Sequence, residues 1–198
     1  GDGVGISMAT MGNYIFCSGQ YGGLYRSTNN GDDWELIINN IGGYYTNGYL
    51  YSTSEYIYTG YKGSLFRSSN YGNYWIEISN GLINKDVSVL ISIGANLFSY
   101  TSGGVFRSSD NGDNWTISNN GINGKIENFS YNGSYLFAAG ANGVFRSSDN
   151  GENWIAVNNG FVGLNATSIA SSGSKIFVGN NLGIFYSNNN GIVWNLIN

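Results

Sequence analysis

Five tryptophans in one register predict an all-β chain, a five-bladed β-propeller of four-stranded antiparallel blades with about 40 residues per blade. Trp34, Trp75, Trp115, Trp154 and Trp194 are all the tryptophans of the chain, and they stand 41, 40, 39 and 40 residues apart. Nine residues before each stands an aromatic: Tyr25, Phe66, Phe106, Phe145 and Phe185. Eight or nine residues before those stands a second: Phe16, Tyr58, Phe98, Phe137 and Phe177. A period near 40 residues that accommodates four short strands has the size of a propeller blade, and five copies lie within the usual range of about 4–8. The blades fall approximately at 1–41, 42–81, 82–121, 122–160 and 161–198, so the whole chain reads as a single β-propeller domain. A β-solenoid is the alternative repeat architecture, but its rungs are usually shorter than this unit.

The fourth copy shows each element in order. "NFSYN" (128–132) alternates as an inner strand, and Gly133 with Ser134 turns the chain. "YLFAAG" (135–140) is apolar throughout and predicts a strand covered on both faces, as in stacked blades. "NGVFRSS" (142–148) is the third strand, "DNGEN" the turn after it, and "WIAVN" (154–158) the outer strand. Strands of about 5–6 residues with turns every 8–12 residues or so fit this reading. The 31 glycines penalise helices, and apolar residues nowhere keep a helical spacing. The chain begins in an inner strand ("VGISMA", 4–9) and ends in an outer one ("WNLIN", 194–198), so no strand is expected to be exchanged between first and last blades. Ring closure is expected to rest on packing of blade one against blade five, and deletion of a blade to cost clear stability.

Composition narrows the function classes. Of 198 residues, 41% are apolar and 16% aromatic against 10% charged, which supports a packed core and argues against disorder. The net charge is −4, and the 8 Lys and Arg are scattered. Binding by counterion release needs a clustered basic surface, so no nucleic-acid partner is expected. No apolar run approaches the roughly 18–20 residues of a spanning helix, so no membrane insertion is expected. Abundant Asn, Ser, Gly and Tyr with little charge suit an extracellular or cell-surface setting. The lone Cys17 lies in "YIFCSG" and reads as small buried packing; with no His in the chain, nothing activates it as a nucleophile.

The turn before each tryptophan is spelled five times: "STNNGDDW" (27–34), "SSNYGNYW" (68–75), "SSDNGDNW" (108–115), "SSDNGENW" (147–154) and "SNNNGIVW" (187–194). Gly31, Gly72, Gly112, Gly151 and Gly191 supply a positive φ without strain. The residues two earlier, Asn29, Asn70, Asp110, Asp149 and Asn189, are placed to accept bonds from turn N–H groups. Ser27, Ser68, Ser108, Ser147 and Ser187 can bond locally in the same way. The tryptophan then packs over the hairpin and buries on the order of 200 Å². The pattern S-x-[DN]-x-G-x-x-W resembles the Asp-box, or bacterial neuraminidase repeat, of sialidases, xyloglucanases, sortilin-type receptors and photosystem assembly factors. In those families the box generally lies away from the active site, so the resemblance implies a structural staple. Asn in three of the five Asp positions keeps the acceptor but argues against calcium or another metal, which wants several charged oxygens. No cofactor is expected.

Catalysis has few candidates. Arg26, Arg67, Arg107 and Arg146 precede four boxes, with Tyr186 in the fifth, but equivalent positions around a ring are separated places, not one pocket. Glu55 and Asp86 form a conceivable carboxylate pair of the glycosidase type, which needs a separation of about 5–10 Å. The near-constant repeat length leaves no insertion to build a site, so the chain is read as no enzyme, with a glycoside hydrolase-related domain as a minor alternative. The main expectation is a binding or scaffold module. It is lectin-like, taking a glycan, or a protein-interaction module of a larger secreted or surface protein. Tyr44, Tyr45 and Asn47, in "NNIGGYYTNGYLY" (39–51), are the candidate ligand contacts, because Tyr offers area and a polar handle at low entropy cost. Tyr49 and Tyr51 of the same stretch are read as part of the inner strand of blade two.

Overall fold

The computed structural model describes residues 5–19, 23–38, 49–61 and 63–197. Blade one consists of β1 (Gly5–Met11), β2 (Tyr14–Gly19), β3 (Leu24–Ser27) and β4 (Glu35–Ile38). Blade two has β5 (Leu50–Ser52), β6 (Ile57–Tyr61), β7 (Ser64–Ser68) and β8 (Ile76–Glu77). Blade three has β9 (Val89–Ile93), β10 (Asn96–Thr101), β11 (Gly104–Ser108) and β12 (Thr116–Ile117). Blade four has β13 (Ile126–Tyr131), β14 (Leu136–Gly140), β15 (Gly143–Ser147) and β16 (Ile155–Ala156). Blade five has β17 (Ser168–Ser172), β18 (Lys175–Asn180), β19 (Gly183–Ser187) and β20 (Asn195–Leu196). Each blade is one antiparallel sheet in chain order, first strand innermost and fourth outermost. This is the five-bladed propeller of four-stranded blades that the tryptophan spacing predicts.

The up-and-down order gives the molecule two ends. The turn between first and second strands and the repeated turn between third and fourth lie at one end, the hairpin end. The turn between second and third strands and the link to the next blade lie at the other, the link end.

The outer strands are shorter than expected. Of "WIAVN" only Ile155 and Ala156 pair as a strand. The ladder continues by one bond, Val157 N–H to the Val144 carbonyl at 2.8 Å. The Asn158 side chain then takes over, its Oδ1 accepting the Val144 N–H at 2.7 Å. Asn119 does the same for Val105 at 2.6 Å, and the Ser79 hydroxyl for Leu65 at 2.8 Å. This side chain comes so close that a Cβ at Gly143 would stand 2.4 Å from Asn158 Oδ1, and Gly143 also has φ 98°. Only glycine meets both conditions.

The apolar core sits between the blades. Four clusters occupy the four junctions in turn, and each combines one face of a blade with the opposite face of the next. At the junction of blades four and five, Phe137, Val144 and Val157 pack on Ile176, Phe185 and Trp194. Nearer the axis, side chains stand in for strand pairing. The Tyr49 hydroxyl donates to the Leu90 carbonyl at 2.7 Å and accepts its N–H at 3.0 Å. The Tyr51 hydroxyl accepts the Ser92 N–H at 2.9 Å and bonds the Ser92 hydroxyl at 2.8 Å. Tyr51 lies in β5, with Tyr49 directly before Leu50.

Two expectations need correction. Among the described residues, no apolar cluster, hydrogen bond or ion pair joins blade five to blade one, so the expected closing contact is not found. Cys17, expected to be buried, is half-buried. Its counterparts Thr59, Ser99, Ala138 and Val178 are buried because a preceding blade covers them. Among the described residues, no other blade covers the face of blade one that carries Cys17. Burial still pushes the thiol pKa up, which disfavours the thiolate.

Candidate functional site

The repeated turn is a type I′ turn in all five blades. In blade four Asn150 and Gly151 have φ of 55° and 79°, and the Glu152 N–H donates to the Asp149 carbonyl at 3.3 Å. The mirror-image turn matches the strand twist and requires two left-handed residues, hence Asn-Gly. Asn30, Asn111 and Asn190 hold the same place before their glycines, and Tyr71 holds it in blade two with φ 57°. An aromatic in that conformation is strained; its ring stacks on Tyr14 with centroids 4.4 Å apart.

The serine and the Asx residue complete the turn. Ser27, Ser68, Ser108, Ser147 and Ser187 each accept the N–H of their box glycine (Gly31, Gly72, Gly112, Gly151, Gly191) at 2.8–3.0 Å. Each donates to the Oδ1 of Asn29, Asn70, Asp110, Asp149 or Asn189 at 2.7–3.0 Å. That Oδ1 also accepts the backbone N–H four residues on, at 2.9–3.0 Å. Asn and Asp serve equally because one oxygen does both tasks. The two carboxylates gain one more donor. The side-chain amide of Asn114 holds the Asp110 pKa below its ordinary value, and that of Asn153 does so for Asp149. Among the described residues no group of three or more His, Cys, Asp or Glu is placed to hold a metal ion.

The tryptophan acts on the neighbouring blade, not only on its own hairpin. The indole N–H of Trp115 donates to the Ile78 carbonyl of blade two at 2.8 Å. Trp154 reaches the Ser118 carbonyl at 2.9 Å, and Trp194 the Val157 carbonyl at 2.6 Å. Their backbone N–H groups donate to the Asn80, Asn120 and Asn159 carbonyls of the preceding blade at 2.8–2.9 Å. Trp75 packs on Ile37 and Ile38 of blade one while its indole bonds its own Gly72 carbonyl; exposed Trp34 likewise bonds its own Gly31 carbonyl.

The arginines bind in the other direction, each to the turn of the following blade. Arg26 donates to the Tyr71 carbonyl, Arg67 to Asn111 at 2.8 Å, Arg107 to Asn150 at 3.1 Å and Arg146 to Asn190 at 2.8 Å. Arg67 also pairs with Asp113 at 2.9 Å. Three of the guanidinium groups lie over a tyrosine ring: Arg26 on Tyr14, Arg67 on Tyr56 and Arg146 on Tyr135, at 5.4, 4.8 and 4.5 Å. The four arginines are therefore spread over four junctions and form no common anion pocket.

The conceivable carboxylate pair also comes apart. Glu55 lies in the turn between β5 and β6, at the hairpin end. Asp86 precedes β9 near Ser88, whose N–H bonds the Tyr100 carbonyl, at the link end. A five-residue strand separates the two ends by roughly 15 Å, beyond any glycosidase pair.

One junction departs from the repeat. A groove of about 280 Å³ opens at the hairpin end between blades two and three, lined among others by Glu55, Tyr56, Tyr58, Ser92 and Asn111. The aromatic column reads Phe16, Phe98, Phe137 and Phe177 in the other blades; only Tyr58 carries a hydroxyl there. Tyr58 is fully buried, and among the described residues its hydroxyl has no hydrogen-bond partner. Burial is the main cause that raises its pKa, so it stays a neutral donor. Tyr49 is likewise pushed up to about 12, mainly by burial. The candidate contacts Tyr44, Tyr45 and Asn47 lie outside the described residues.

The chain matches no family model and no curated protein. Its shape has clear relatives among solved structures. It superposes on an ancestral GH74 enzyme with a TM-score of 0.78 at 20% identity, covering 98% of this chain and 31% of that one. The GH74 enzyme of Niastella koreensis gives 0.68 at 20% identity, covering 94% and 30%. YCF48 bound to a D1 peptide gives 0.74 at 15% identity, covering 98% and 66%. These likenesses establish the propeller fold. The chain spans about a third of the GH74 enzymes and just under two thirds of the YCF48 chain.

Proposed function

We propose that the chain is a non-catalytic recognition and scaffold module built on Asp-box repeats, and that the groove between blades two and three takes an uncharged, hydroxyl-rich ligand, a carbohydrate. The observation that carries the reading is the buried, partnerless Tyr58 hydroxyl at the one position where the repeat otherwise places Phe. An unmade bond at a buried hydroxyl costs free energy, so a ligand that makes it gains what the free protein forgoes. Of the other polar groups of the groove, Thr53, Ser54, Ser92 and Asn111 are neutral, and Glu55 can accept from sugar hydroxyls. An extracellular or cell-surface setting suits such a ligand.

The test is a glycan array followed by calorimetry with the hits, for the wild type and Tyr58→Phe. Specific hits that lose at least about tenfold in affinity in the variant support the reading, since one buried hydrogen bond is worth about that much. Hits indifferent to Tyr58→Phe overturn the groove. A blank array beside a specific protein partner favours the second reading, a protein-interaction module. The likeness to YCF48, solved with a D1 peptide, supports that alternative. The glycosidase reading would need two facing carboxylates, and Glu55 and Asp86 lie at opposite ends of their blades.

A further inference from the structure

A cavity at the link end belongs neither to the groove nor to the repeated turn. It has a volume of about 340 Å³ and lies between the β10–β11 turn of blade three and the link from β12 to β13. Two departures from the repeat set it apart. Half-buried Tyr100 forms part of its wall, where the other blades carry Ser18, Gly60, Ala139 and Gly179. The link is also one residue shorter than its neighbours. Gly121 stands five residues before the buried Ile126, whereas Gly81 stands six before Val87 and Gly160 six before Ala166. The missing residue accounts for the spacing of 39 between Trp115 and Trp154.

The polar groups on the wall are donors. Asn119 Oδ1 accepts the Val105 N–H at 2.6 Å, and Asn123 Oδ1 accepts from Asn142 Nδ2 at 2.9 Å. Each side-chain amide thus spends its oxygen inside the protein and keeps its NH2 group for a ligand. The link backbone is in the same state: among the described residues, the N–H groups of Asn123, Gly124 and Lys125 donate to no backbone carbonyl. Gly124 has φ 79°, and a Cβ there would stand 2.8 Å from Asn142 Nδ2, so this stretch presents bare backbone. Lys125 adds a positive charge, and no acidic residue among those described lines the cavity. The nearest carboxylate is that of Glu127, outside the wall, which pairs with Lys125 Nζ at 2.9 Å.

We propose that this cavity is a second binding site, which takes an oxyanion, a carboxylate or a phosphate group, carried on a flat ring. The oxyanion accepts from the two amide NH2 groups, the link N–H groups and the Lys125 ammonium. The ring rests against the ring of Tyr100, the one aromatic in its column. A neutral sugar needs acceptors for its hydroxyls as well as donors, and this wall offers few, which separates the site from the groove at Tyr58. In the free protein Glu127 engages the ammonium, and the ligand takes its place. The site lies at the opposite end of the blades from the groove and does not rest on the carbohydrate reading.

The test is a titration with benzoate, phenyl phosphate and uncharged benzyl alcohol at constant ionic strength, followed by amide NMR. Benzoate, phenyl phosphate or both should shift the Asn123, Gly124 and Lys125 amide signals to saturation, and benzyl alcohol should not. The tighter of the two anions shows whether the site is shaped for a planar carboxylate or a tetrahedral phosphate. Lys125→Met should weaken that anion about tenfold by removing a charge-assisted bond. Glu127→Gln should tighten it, because the ammonium is then free. Tyr100→Ala, the residue that blade four carries at Ala139, should weaken it and leave a native circular-dichroism spectrum. Link amides that neither anion moves overturn the proposal. So does benzyl alcohol that binds as tightly as the anions, or an affinity indifferent to Lys125→Met or to Glu127→Gln in folded protein.

Discussion

Tyr58 shows at the scale of one residue how a repeat reveals its exceptions. Its hydroxyl is the only one in a column of phenylalanines, and it is buried without a partner. Removing an unsatisfied buried hydroxyl is neutral to stabilising, so Tyr58→Phe should leave thermal stability unchanged or raise it by up to about 1 kcal/mol. A clear loss of melting temperature would mean that the hydroxyl has a structural partner. The box carboxylates make a second residue-scale prediction. Asp110 and Asp149 have pKa values below the ordinary one, chiefly because Asn114 and Asn153 donate to them. A depressed folded-state pKa stabilises above the unfolded value of about 3.9 and loses that stabilisation as pH falls through the folded value. Acid should therefore cost the wild type more melting temperature below about pH 4 than it costs the Asp110→Asn, Asp149→Asn double variant. Equal acid profiles would show that the carboxylates matter only as hydrogen-bond acceptors. The signal at Tyr58 was present in the sequence, as one Tyr in an aligned column. The Tyr44, Tyr45 and Asn47 site was argued from composition, which marks sticky residues but not what surrounds them.

At the scale of the element, the strands and turns were legible because their causes are local. Asn-Gly dictates its turn, and alternation dictates which residues face a neighbouring blade. The outer strand was less legible. "WIAVN" reads as five strand residues, yet Asn158 bends out of the ladder and replaces it with a side-chain bond to Val144. The hint lies four residues after the tryptophan, where Asn119 and Asn158 recur and Ser79 substitutes. Asn158→Ala strands the Val144 N–H and should cost about 1–3 kcal/mol in urea unfolding. A cost near zero would mean that the backbone closes the ladder unaided.

At the scale of the molecule, the repeated turn is a joint between blades. The tryptophan of one blade bonds the blade before it, and the arginine bonds the turn of the blade after it. Neither role was legible in the sequence. The partner of each arginine lies in the next repeat, 43 to 47 residues on, and nothing local marks it. The family resemblance led to a staple within each hairpin, which is half of what the turn does. The strand order of the five repeats led to an expected closure of blade five on blade one, which no described contact supplies. The most direct test of the joint compares one residue type at two equivalent places. Trp154→Ala and Trp34→Ala are to be compared by urea unfolding. Trp154 is buried against blade three, and its loss should cost about 3–5 kcal/mol. Trp34 is 39% exposed, and its loss should cost less than about 1 kcal/mol. Equal losses at the two positions would show that the tryptophan holds its own hairpin rather than joining blades, and would contradict the account.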